Sequence, residues 1–274
     1  MLPDWRALSK HTIERRLGEA GLAWLRRRKK ALVPTAHKPA RLLWAKWVAR
    51  RPPAELARWA YTDGTCFYLA RSSGEVEDKS RAALGPYVWR QASGNDSLYE
   101  ECIGPSACWK GQGVPVRVWG VLAHGVLHVT VLPQNQCMNR LRYQEVIAKK
   151  FPGWIKASFG VQKRGVFLVQ DHERCLWSRE PREAMEDIGV VLLKNYPKCS
   201  QDLNPIETAW RELRRRLGES QPACLEGRDE FIARLRAAVS WLNRNESDLL
   251  RRLCNCQVEW AQDVRAQQGG RAKH

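Results

Sequence analysis

"GVFLVQDHERCLWSREPREAMEDIGVVLLKNYPKCSQDLNPIETAW" spans Gly165 to Trp210. Val166–Val169 is an unbroken apolar run, the pattern of a strand buried on both faces, and it ends in Gln170-Asp171. "REAMEDIG" then predicts a short helix and "VVLLKNY" a second buried strand. Strand, helix and strand make a parallel βαβ unit, whose right-handed crossover brings the second strand back beside the first. In open α/β sheets, sites form beyond the carboxyl ends of the strands. Asp171 lies at such an end.

The unit leads into "KCSQDLNPIETAW", Lys198–Trp210, where Glu207 has two readings. In the structural one, Asn204 is the helix N-cap and Pro205 the first helical residue, where a missing N–H costs nothing. Glu207 would then reach back to the Asn204 N–H as in a capping box. Ala209, Trp210, Leu213 and Leu217 would share one face, with Gly218 as a stop. In the chemical reading, Glu207 is a ligand or catalyst. This stretch alone leaves both open.

Working outward, "WAYTDGTCFYLA" from Trp59 reads as an aromatic strand with Trp59, Tyr61, Asp63, Thr65 and Phe67 on one face. A carboxylate there is costly unless it is paired, for instance with an Arg, or holds a metal. Residues 71–116 read as a long loop or short hairpin around "YVWR". "VRVWGVLAHGVLHVTVLP" gives two strands around His124-Gly125. His124 and His128 read as a turn and a strand-surface residue, with ligation as the alternative. A helix is expected from Asn135 to Pro152, and two helices broken near Asn243–Glu246 in the tail.

Asp63, Asp171 and Glu207 thus lie in or directly after three core elements. Convergent carboxylates suit hard divalent cations such as magnesium. Two such ions roughly 3.5–4 Å apart activate an attacking oxygen and stabilise a leaving one. The pattern points to metal-dependent phosphodiester cleavage, with a structural nuclease acting on RNA or hybrids as a weaker alternative.

The charge fits a polyanionic substrate. The chain has 274 residues, 46 Lys/Arg and 29 Asp/Glu, for a net charge of +17. Residues 1–51 carry 14 Lys/Arg against 3 Asp/Glu, a surplus of 11. Ser9 looks like the cap of a short basic helix showing Lys10, His11, Arg15 and Arg16, as in the recognition helix of a helix-turn-helix unit that is only partly present. "RRRKK", Arg26, Arg27, Arg28, Lys29 and Lys30, reads as a phosphate-binding run, a nuclear-import signal or a solvated linker. Nine cysteines lack the paired spacing of a zinc ribbon, so reduced thiols are expected. No secretory signal or membrane span is read in the sequence, so neither a membrane role nor secretion is expected.

The motifs "YTDGTCFYLA", "YVWR", "VRVWGVLAHGVLHVTVLP", "FLVQDHE" and "SQDLNPIETAWRELRRRL" resemble, in this order, the mariner superfamily of DDE transposases, Tc-type branch. "TIERRLGEAGLAWLRRRKKALVPTAHKPARLLWAKW" resembles the end of that branch's second helix-turn-helix and its linker. The likeness covers most of residues 9–218. It implies a catalytic triad of Asp63, Asp171 and Glu207 holding two Mg2+ or Mn2+ ions, without a small-molecule cofactor. The sequence departs from the family pattern at Gly64, at His172 with Leu176 after it, and at Gln201.

The expected fold is α/β: a ribonuclease-H-like mixed five-stranded sheet flanked by helices. The expected divisions are a partial helix-turn-helix over 1–25, a basic linker over 26–58, the catalytic domain over 59–220 and C-terminal helices over 221–274. The expected function is a transposase-derived endonuclease and strand-transfer domain. A non-catalytic DNA-binding remnant or domesticated copy is the alternative. The expected partners are DNA, as transposon ends and target, and a second copy of the chain. Lys and Arg of the N-terminal segment, with Arg211, Arg214 and Arg215, would hold phosphates. The expected location is the nucleus in a eukaryote and otherwise the cytoplasm.

Overall fold

Strict alternation builds the central strand. In β1 (Trp59–Leu69), Trp59, Tyr61, Phe67 and Leu69 enter one apolar layer and Ala60 the opposite one. The computed structural model describes residues 9–26, 28–29, 33–69, 87–91, 103–104, 114–160, 165–220 and 225–272. β2 (Val114–Ala123) and β3 (Val126–Val131) form the expected hairpin, turning through His124 (φ 49°) and Gly125 (φ 80°). With β4 (Val166–Val169) and β5 (Val190–Leu192), they make a five-stranded sheet in the order β3-β2-β1-β4-β5. The first three strands are antiparallel, whereas β4 runs parallel to β1 and β5 to β4.

Helices cover both faces, making three layers. On one face lie α1 (Lys38–Val48) and α2 (Pro53–Leu56). The other carries α3 (Arg140–Lys149), α4 (Phe151–Phe159) and α5 (Arg179–Asp187), which bury Tyr143, Ile147, Phe151 and Met185 against the sheet. Then α6 (Pro205–Glu219), α7 (Arg228–Asn245), α8 (Ser247–Asn255) and α9 (Gln257–Ala266) return to the α1 side, with Trp210, Leu213, Leu235, Leu242, Leu250 and Val264 in its core. Among the described residues, no helix is long and apolar enough to cross a membrane.

Several expected boundaries need correction. The expected linker over 26–58 contains α1, whose Trp44, Ala45 and Val48 are buried in the main core. The sequence itself suggests a helix in "HKPARLLWAKWVAR", with Leu42, Leu43, Trp44, Trp47 and Val48 as anchors, and the structure forms it. The tail beyond residue 221 supplies core residues too, through three helices instead of two; the first break is at Glu246, as expected, and the second at Cys256. The helix expected from Asn135 to Pro152 starts later, at Arg140 after its N-cap Asn139, and ends at Lys149. Pro152 then lies in the first turn of α4, where its missing N–H is no loss. Gly218 is not the expected stop: α6 runs through it to Glu219, and Arg234 Nη1 satisfies the Leu217 carbonyl at 2.8 Å.

A second, smaller unit contains the helix Lys10–Glu19, whose N-cap Ser9 accepts from the Thr12 N–H as expected. After the turn at Gly21 the chain does not enter another helix. Leu22–Arg26 forms a strand paired antiparallel with Tyr87–Gln91, and Arg28–Lys29 pairs with Ile103–Gly104. "YVWR" is therefore in a strand. Apart from Gln91, Ile103–Gly104 and the start of β2, the remainder of the expected 71–116 insertion lies outside the described residues.

Candidate active site

Strand register brings two of the carboxylates together. Tyr61 pairs with Val169 in the parallel β1–β4 ladder. Continued two residues past the last paired position, that register sets Asp63 level with Asp171. Asp63 is also opposite Gly120 on β2. Thr62 Oγ1 donates to the Gly120 carbonyl (2.8 Å), so its side chain braces the strand pair at this level.

The third carboxylate arrives on α6, and the start of that helix is fixed from outside. Trp210, fully buried, lies over Gly120: a Cβ there would stand 2.5 Å from its ring. Trp210 thus ties α6 to the residue that faces Asp63. Asn204 occupies the N-cap position, with φ −101° and ψ 106°, but the expected side-chain cap is not made. Its Nδ2 instead donates to the Thr62 carbonyl (3.3 Å), and its buried Oδ1 has no partner. The capping box is absent as well. The Asn204 N–H already bonds to the Gln201 carbonyl (3.1 Å), because the turn Gln201–Leu203 before it is a 3-10 helix. Glu207 is therefore not occupied in the capping box expected from the sequence.

The three side chains press on one another. Burial raises the Asp63 carboxyl well above its usual range, and Glu207 and then Asp171 raise it further. Opposing this, the Gly64 N–H donates to Asp63 Oδ1 at 2.7 Å. Burial, then Glu207 and Glu173, push Asp171 up to about 6, with His172 pulling the other way. Like charges raise each other's proton affinity when no cation separates them. Arg214 is the basic group close by: burial lowers its pKa, whereas Glu207 and Asp63 raise it, and its Nη2 donates to Thr65 Oγ1.

An all-oxygen anionic donor set fits a hard divalent cation. Among the described residues, however, no group of three His, Cys, Asp or Glu side chains stands as a ready-made ligand set. Burial and repulsion raise the proton affinities of Asp63 and Asp171, so a cation binding there would compete with protons. Alternative metal sites find no support in these residues. Cys254 and Cys256 are free thiols, and Cys254 Sγ accepts the Gly125 N–H. His128 bonds to Ser158 Oγ (2.8 Å) and stacks on Trp154, and burial lowers its pKa to about 4.

The expected phosphate-binding residues divide into groups. Arg214 faces the carboxylates and Arg211 is exposed one turn earlier on α6, whereas Arg215 is engaged by Glu212 (2.9 Å) and Glu219. In the small unit, His11 is exposed, and Arg15 and Arg16 both reach Glu19 (2.8 and 3.1 Å). Lys10 begins the helix; Arg26, Arg28 and Lys29 lie in strands; Arg27 and Lys30 fall outside the described residues.

Sequence reading missed the groups that support the site. Buried Gln170 accepts from the Tyr143 hydroxyl (2.6 Å) and donates to the Leu176 carbonyl (3.2 Å), fixing the end of β4. His172 stacks flat on Trp177 (4.8 Å between centroids), and Trp177 Nε1 donates to the Asp171 carbonyl (2.8 Å). His172 Nε2 bonds to the Tyr196 carbonyl, which can only accept, so that nitrogen carries the proton. The departure at Gly64 has a steric cause: a Cβ would meet the Trp119 ring at 2.8 Å. "DHERCLW" already contained the Trp five residues after the His, the available signal for that stack.

No protein-family model matches the chain. It is similar to the transposase of the transposable element Tc1 from Caenorhabditis elegans, 31% identical over 216 residues, covering 79% of this chain and 72% of that protein. It is also 30% identical over 218 residues to the Tcb1 transposase of Caenorhabditis briggsae, covering 78% and 72%. The fold is similar to that of the Mos1 mariner paired end complex with Mn, with a TM-score of 0.67 at 16% identity over 96% of this chain and 71% of that one. The Mos1 transposase catalytic domain with Raltegravir and Mg gives 0.55 at 12% identity, over 87% and 98%.

Proposed function

The chain belongs to the Tc1/mariner superfamily of DDE transposases, and from that premise we propose that Asp63, Asp171 and Glu207 form a two-metal centre for cutting and joining DNA strands. The observation that carries the proposal is the meeting of the three carboxylates where β1, β4 and α6 converge, with burial and Glu207 raising the proton affinities of both Asp63 and Asp171. Bound magnesium or manganese would supply activation of the attacking oxygen and neutralisation of the leaving one. The three carboxylates would hold it, and Arg214, tethered to Thr65, would meet a phosphate of the DNA strand. Water opening a phosphodiester leaves a 3′-hydroxyl. Attack of that hydroxyl on a target phosphodiester forms the new P–O bond and releases a target 3′-hydroxyl.

A non-catalytic DNA-binding remnant is the competing reading, and its basis is the set of departures from the family pattern. Two of these have local compensation, Gly64 beneath Trp119 and His172 against Trp177, which favours a maintained site. The deciding experiment is nicking of supercoiled plasmid with Mg2+ or Mn2+. The proposal expects metal-dependent nicks that EDTA abolishes. Salt-sensitive DNA binding with no nicking by the folded wild-type chain would leave the remnant reading.

A further inference from the structure

Five residues before Glu207, Asp202 belongs to a buried knot. Arg41, fully buried, forks onto it, with Nη1 2.9 Å from Oδ1 and Nη2 2.7 Å from Oδ2. Nη1 also reaches Ser200 Oγ (2.8 Å) and the Cys199 carbonyl (3.3 Å). Nε donates to the Gly269 carbonyl and Nη2 to that of Gly270, both at 3.0 Å. The Ala272 N–H donates back to Asp202 Oδ2 (3.0 Å). Three segments distant in sequence meet here: α1, the turn before α6, and the strap Gly269–Ala272.

The strap is seated on backbone. Gly269 has φ +89°, and a Cβ on it would stand 2.1 Å from the Lys38 carbonyl oxygen. Any side chain there must lift the strap off α1 and take two acceptors from Arg41.

Building on the nuclease reading, we propose that Arg41 and the Gly269–Ala272 strap are positioning elements for Glu207, holding the Gln201–Leu203 turn so that α6 delivers its carboxylate to Asp63. The turn is one 3-10 helix and α6 lacks a side-chain cap, so little within the segment itself fixes its direction. A bidentate guanidinium–carboxylate pair sets both distance and plane. Arg271 extends the link: its guanidinium is lowered by burial, whereas Asp202 and Glu207 both raise it, which puts the strap within electrostatic reach of the site.

The test is Gly269→Val, followed by amide hydrogen exchange and by plasmid nicking. Exchange should quicken at residues 203–207 and stay unchanged in the β2–β3 hairpin. The kcat for nicking should fall about 10- to 100-fold, with KM for DNA within about two-fold, as expected when a group is displaced without loss of substrate contacts. If Gly269→Val does not fold, Arg41→Lys, which keeps the charge and loses the fork, gives the same readouts. Unchanged protection at 203–207 overturns the proposal, as does unchanged nicking by the variant of an active wild type. A wild type that never nicks sinks the nuclease reading alone, because quickened exchange at 203–207 still supports the coupling.

Discussion

Asp202 and Glu207 are two carboxylates on one short segment, and their surroundings are opposite. Asp202 is buried and matched, with both oxygens on Arg41 and one also on the Ala272 N–H. Glu207 meets two other carboxylates and raises the proton affinity of both. Burial of charge is tolerated at the first by pairing. At the second the conflict is left standing, and unresolved repulsion is what a cation-binding site looks like before its cation arrives. The contrast separates a residue kept for architecture from one kept for reaction.

The largest effect that tests the contrast is on reaction. Asp171→Asn and Glu207→Gln should each lower metal-dependent nicking about 1,000-fold or more, while circular dichroism stays native. Wild-type rates in both variants would remove the catalytic half of the comparison. Next in size is Asp202→Ala, which strands the Arg41 guanidinium in the core. It should cost about 3–5 kcal/mol in urea unfolding. A loss below about 1 kcal/mol would show the pair to be dispensable.

A smaller effect has the opposite sign. The folded-state pKa of Asp171, about 6, lies above the ordinary 3.8. The folded chain therefore binds this proton more tightly than the unfolded chain does, and stability falls as pH rises across that interval. Asp171→Asn should flatten the fall and raise stability by about 2 kcal/mol at pH 7.5, after allowance for solvent screening. Magnesium should raise the wild-type Tm more at pH 7.5 than at pH 5, because it must compete with the proton. The smallest effect is that of Asn204→Ala. With no cap to lose and one long bond to Thr62, it should cost about 1 kcal/mol or less in the same urea assay. A cost above about 2 kcal/mol would mean that the Asn204 amide does more than the contacts described.

The strands were legible because their periodicity is local: β1 alternates, β4 is uniformly apolar, and Asp63 and Asp171 stand out against those backgrounds. Glu207 was legible as a candidate, but not its release from the cap. That depends on a 3-10 turn taking the Asn204 N–H, which the Asn-Pro pair does not signal. Arg41 was invisible for a different reason. It is one of many basic residues in a segment whose charge suggests solvent, and its acceptors lie more than 150 residues away. The tail's place in the core was hidden likewise, since Leu235, Leu242 and Val264 predict an apolar stripe without saying what it covers.

The bond from Arg41 to the Gly269 carbonyl joins residues separated by 228 positions. Contacts that distant close late, since the entropy of the intervening chain must be met before they form. On a ribosome adding 5–20 residues per second, Arg41 waits roughly 10–50 s for its last acceptors to be made. Over the last part of that interval, from Glu207 to Gly269, the sheet and its carboxylates are already synthesised while the knot proposed to align Glu207 is incomplete. On the proposal above, alignment of Glu207 waits on synthesis of the strap that follows α9.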